Sequence, residues 1–163
     1  MKPQYYILTL VFLTTAFSCD RIKRKTEEIV DNAKDNIISH YDSKIPDTKW
    51  NKKRFDEFFH FAPTSDVKNI YCFADEIAFD HTYMFSFNCN MTTLYKIISE
   101  LELVQADSPD NSSEGIQQDF DWWDKEKLKN LTPYCKKEDE HRTYWYLWYD
   151  MTDKKAYYIE FDM

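Results

Sequence analysis

The chain has 163 residues, 43% of them hydrophobic and 18% aromatic, with a formal net charge of −8. That length and apolar content suit one domain with a real core, and the acidic balance argues against nucleic acid, whose phosphates require a basic footprint. A single glycine, Gly115, removes most phosphate-binding loops and nucleophile elbows, because those turns need backbone conformations that only glycine adopts cheaply.

The chain opens Met1-Lys2-Pro3-Gln4 and continues as an apolar run from Tyr5 to Phe17 that ends at Ser18-Cys19. A run of that length is a signal-peptide core; a bilayer crossing takes about 20 residues. The residues Ala16-Phe17-Ser18-Cys19 resemble the lipobox of bacterial lipoproteins, with Ala16 where leucine is commonest and Phe17 where a small residue is usual. The resemblance covers only the first nineteen residues. It implies that residues 1–18 are removed, that Cys19 carries the lipid, and that the protein sits in the cell envelope, held to a membrane on its periplasmic or outer-surface face. Several acyl chains on one residue suffice for stable anchoring. Ala16 and Ser18 also satisfy the small-x-small rule for ordinary signal cleavage, in which case Cys19 is a thiol. Asp20 resembles the inner-membrane retention signal of some bacteria, a rule that does not hold in every group, so either membrane remains open.

Residues 19–48 then read as an anchored helix and linker. Ile22, Ile29, Ala33, Ile37 and Tyr41 recur at helical spacing within a charged stretch, Asp20–Tyr41, and Pro46 breaks the helix in a linker over 42–48. From 49 to 163 the pattern predicts a single α+β domain. Phe55, Phe58 and Phe59 mark a short helix over 52–61, stopped by Pro63. Stretches 67–79 and 82–89 are rich in aromatic and β-branched residues and read as a hairpin. If Asp80-His81 form its turn, Cys72 comes directly opposite Cys89, and a cross-strand disulfide becomes available in an oxidising compartment. Asn90 is placed to cap a strongly amphipathic helix over 91–103 with Leu94, Ile97, Ile98 and Leu101 on one stripe.

The polar stretch 105–119 reads as a surface loop. Phe120, Trp122 and Trp123 lead into a short helix over 124–131 capped by Asp124 and ended by Thr132-Pro133. A loop containing Cys135 follows. Stretches 143–149 and 156–162 form a second hairpin. The expected fold is therefore α+β, with about four antiparallel strands in two hairpins (ββα…ββ), helices packed on the sheet and an N-terminal helix in front.

Groups that carry chemistry are scattered. His40, His60, His81 and His141 show no spacing that sets two metal ligands on one helical face. Glu138 to His141 is the one local cluster of ligand types, in a charged turn that reads as a solvated loop. Cys135 has no nucleophile's surroundings, and Asp75, Glu76 and Asp80 read as the wet face of a strand. Neither a catalytic residue, a metal nor a cofactor is expected. The Asn-x-Ser/Thr triplets at Asn90, Asn111 and Asn130 would matter only in a eukaryotic host.

The candidate binding surface is aromatic. Alternation along the strand sends Tyr144, Tyr146 and Trp148 to one face and Trp145, Leu147 and Tyr149 to the other, with Trp122 and Trp123 nearby in sequence. Either the sheet is covered on both sides or these rings face a partner, for which Tyr and Trp are well suited. The leading expectation is a lipid-anchored envelope binding protein without catalytic activity. It would engage another protein, a basic one by charge, in the manner of an inhibitor or immunity-type protein. The alternatives are a module that binds envelope glycans or peptides through Trp122, Trp123, Trp145 or Trp148, and a hydrolase.

Overall fold

A computed structural model describes residues 41–77, 80–109, 113–138 and 142–162. The leader, Cys19, the helix expected over 20–41 (Tyr41 apart), Asn111 and the 139–141 part of the acidic cluster lie outside the described residues.

The chain forms an α+β domain around one six-stranded antiparallel sheet of order β1-β2-β6-β5-β4-β3. Its strands are β1 (Lys68–Ile77), β2 (Asp80–Asn88), β3 (Val104–Gln105), β4 (Tyr134–Glu138), β5 (Thr143–Asp150) and β6 (Lys155–Asp162). The helices are α1 (Lys49–Phe59), α2 (Met91–Glu100) and a single turn, α3 (Lys125–Leu128). No helix among the described residues is long and apolar enough to cross a membrane.

The sheet has two strands more than the four expected. One of them, β4, lies where the sequence suggests a loop, because its residues, Tyr-Cys-Lys-Lys-Glu, carry little apolar signal. It pairs with β5 along its length and with the two-residue β3 along only part of it, so most of its outer side is an edge, where lysines discourage pairing with other chains.

Each helix begins where a polar side chain can accept a free N–H. Thr48 Oγ1 accepts from Asn51 N, Asn90 Oδ1 from Thr93 N, and Asp124 Oδ1 from Lys127 N, satisfying donors that have no partner within the helix. Asp66 strengthens the start of α2 by accepting from Asn90 N and Thr93 Oγ1, both at 2.9 Å. Desolvation opposes its ionisation, but the bonds from Asn90, Thr64 and Thr93 prevail and hold its carboxyl at about 2. A carboxyl depressed in the folded state contributes stability above its unfolded value of about 4 and loses it as pH falls toward the folded value. Thermal unfolding followed from about pH 5 to about pH 2 is therefore expected to show a steeper loss in the natural chain than in Asp66→Asn; parallel curves would refute this role.

The sheet is covered on both faces. Phe55 and Phe59 of α1 and Leu94 and Ile97 of α2 pack on Ile70, Cys72, Phe85, Phe87, Leu147 and Tyr158. The opposite face carries Met84, Tyr146, Trp148, Tyr157, Ile159 and Phe161 beneath Trp122, Trp123 and Leu128. The alternation expected in β5 holds: Tyr144, Tyr146 and Trp148 belong to the second layer, Trp145, Leu147 and Tyr149 to the first.

The register of the first hairpin differs from the expectation. Ile77 pairs with Asp80, so Cys72 lies opposite Phe85 and not Cys89, and both thiols are free. Sliding a strand by an even number of residues preserves its inward and outward faces, so alternation could not tell the two registers apart. Cys72 Sγ instead donates to Asn51 Oδ1 at 2.9 Å. Burial pushes the thiols of Cys72 and Cys89 up to about 12, which keeps them neutral.

The stretch 42–48, expected to be a linker, is bound to the domain. Asn51, fully buried, donates through Nδ2 to the carbonyls of Asp42, Ile45 and Ile70 and accepts from Asp42 N. The Asp47 carboxylate receives the N–H groups of Asn69 and Ile70.

Candidate functional site

The expected aromatic surface is largely a second core. Trp122, Trp123, Trp148 and Tyr146 are 6%, 3%, 1% and 0% exposed, so almost all of their surface is spent on packing. β5 is an interior strand with both faces covered, and its rings pack against one another. Trp123 meets Trp148 and Tyr157 edge to face at 6.3 and 5.5 Å, the geometry aromatic quadrupoles favour. Tyr144 is half-buried and stacks on Phe161 at 5.3 Å. Of the six rings singled out, Trp145 and Trp122 reach concave surface, on opposite faces of the sheet.

The Trp145 side holds the denser chemistry. Tyr158, Glu160 and Asp162 alternate along the helix-facing side of β6, and His81 and Tyr83 do so on β2, where His81 and Tyr83 flank the paired Thr82 and Phe161. The helices cover the sheet around Phe85 and Phe87 but leave this polar end less covered. There His81 Nδ1 lies 2.7 Å from Asp162 Oδ2, and its Nε2 lies 3.4 Å from Glu160 Oε1 without hydrogen-bond alignment. Thr143 Oγ1 donates to the other Asp162 oxygen at 2.6 Å. Tyr158 donates to Glu160 at 2.7 Å and Tyr83 to Glu76 at 2.8 Å. Burial, followed by the adjoining carboxylates, raises the phenols of Tyr158 and Tyr83 well above their ordinary value. Both therefore remain hydrogen-bond donors to these carboxyl groups.

Beside this network is a hollow of about 320 Å³ lined by Glu57, Phe58, His60, Leu101, Trp145 and the Tyr158–Glu160 edge. α1 supplies Glu57 and Phe58, and the end of α2 supplies Leu101. Glu57 pairs with Arg54 at 2.6 Å and with Lys53 at 3.8 Å. Among the described residues, His81 is the only basic side chain within ion-pair reach of Glu160 and Asp162. Lys136 approaches the Trp145 ring at 5.7 Å while paired with Glu102 at 3.0 Å. The hollow thus combines aromatic faces with the Glu160 carboxylate, whose one basic neighbour among the described residues is His81, a combination that attracts cations.

Sequence reasoning missed Glu57, Glu160, Asp162 and the role of His81. The period-two placement of Tyr158, Glu160 and Asp162 was visible, but bringing them to His81 depended on the β2–β6 pairing. Asp75 and Glu76 fall on opposite faces of β1 and do not converge, as neighbours in a strand cannot. Among the described residues no group of acids, histidines or cysteines is arranged to hold a metal ion. No protein family, curated protein or solved structure matches this chain.

Proposed function

We propose that this chain is a lipid-anchored cell-envelope protein that binds another protein of basic surface, in the manner of an inhibitor or immunity-type protein. The anchor rests on Ala16-Phe17-Ser18-Cys19 behind the apolar run. The binding reading rests on the hollow, in which the Trp145 indole and the Glu57 and Glu160 carboxylates share one concavity. A lysine or arginine side chain entering it would meet ring faces and negative charge together, an attraction worth about 0.5–2 kcal/mol per aromatic contact. The net charge of −8 would steer a basic partner toward it and speed encounter.

A photo-reactive residue placed at Leu101, on the hollow's rim, is expected to form a discrete adduct with a basic protein in membranes of a bacterial host. The same probe at Tyr95, 56% exposed on α2, is expected to form none. Cys19→Ala is expected to release the chain from the membrane. Equal labelling from both positions, or none, would contradict the binding reading; membrane retention of Cys19→Ala would contradict the anchor.

A further inference from the structure

On the sheet face opposite α1 and α2 an open groove of about 650 Å³ runs between β1, β2 and β6 and the segment carrying Phe120 and Trp122. Tyr71, Trp122 and Phe120 form a parallel stack along it, with centroids 5.6 and 4.7 Å apart and planes inclined by 10° and 6°. Trp122 is the middle ring, fixed by its Nε1–H bond to Ser43 O. Its faces are covered, whereas Tyr71 and Phe120 are half-buried and line the groove.

The polar groups here are hydrogen-bonding groups of balanced charge. Asn69 Nδ2 donates to Asn88 Oδ1 at 3.0 Å, which leaves Asn69 Oδ1 without a protein partner among the described residues. Lys155 is turned to Trp122 O at 2.8 Å. Lys44 and Asp121 are exposed and, among the described residues, have no ion-pair partner. Beneath the groove Ser86, paired across the strands with Tyr71, is fully buried, and its hydroxyl also lacks a partner.

A ligand complementary to this lining has flat C–H surface for the rings and many hydroxyls for an amide, a carboxylate and an ammonium, and carries no net charge. A fully apolar ligand would strand the polar groups, and a strongly charged one would meet a like charge in Lys44 and Lys155 or in Asp121, Asp119 being paired with Lys125 at 2.6 Å. We infer that the groove binds a neutral oligosaccharide, with Tyr71 as the stacking platform and Asp121, Lys44 and Asn69 as hydroxyl partners. This site is separate from the Trp145 hollow and independent of the protein-partner reading.

The test is calorimetric titration of the full chain in lipid nanodiscs with chitotriose, cellotriose and maltotriose, and with a sulfated oligosaccharide as the charged comparison. Saturable binding of at least one neutral sugar is expected. Asp121→Ala, whose side chain is exposed, should weaken it by about tenfold without changing thermal unfolding, and Tyr71→Leu should weaken it further. Trp145→Ala should leave it unchanged. Absence of saturable binding to all three neutral sugars, binding that survives both groove substitutions, or preference for the sulfated sugar would overturn the inference.

Discussion

Replacing Asn51 by leucine is expected to cost about 3–5 kcal/mol of folding stability, as measured by denaturant unfolding at unchanged slope. The side chain is fully buried and serves three carbonyls, one N–H and one thiol, drawn from the 42–48 stretch and from β1. Leucine has similar volume, so little cavity forms. The loss comes from buried polar groups deprived of partners, each worth about 1–3 kcal/mol. Asn51→Asp keeps an acceptor but faces three carbonyl oxygens with a carboxylate, and is expected to be at least as damaging. Hydrogen exchange should show the 42–48 stretch released first. A loss below about 1 kcal/mol in Asn51→Leu would mean that water replaces these bonds at little cost.

The features legible in the sequence were those set by local chemistry. Asn90 and Asp124 cap the helices that follow them, and the ring alternation in β5 follows from a strand's period of two. Pairings between distant segments were not legible. β4 emerged only through its partners β3 and β5, since a short charged edge strand resembles a loop. The Cys72 register escaped because two registers differing by four residues bury the same faces. Asn51, in the first turn of α1 and just ahead of the helix expected over 52–61, reads as a surface residue until 42–48 folds against it. The aromatic run marked a place of high burial: Tyr146 and Trp148 are interior, while Trp145 is half-buried and lines the hollow.

The second large effect is expected at that ring. Binding energy in protein interfaces concentrates in a few aromatic and charged anchors, and truncating one costs about 2–4 kcal/mol, or roughly 30-fold to 1000-fold in affinity. Trp145 is half-buried, so its loss should harm binding far more than folding. Glu57→Gln removes one carboxylate from the hollow and is expected to weaken binding by about tenfold and to flatten its salt dependence, because attraction between exposed charges is screened within about 10 Å at 0.1 M salt. Replacing Glu126, 84% exposed on the other sheet face, should have no such effect. The most direct test is the affinity of the protein captured at Leu101 for the natural chain and for Trp145→Ala, each across a salt series and with thermal unfolding as the folding control. The account predicts tight, salt-weakened binding by the natural chain and a loss of at least about 30-fold in Trp145→Ala at nearly unchanged stability. Equal affinity of the two chains would contradict the assignment of the hollow as the partner's site.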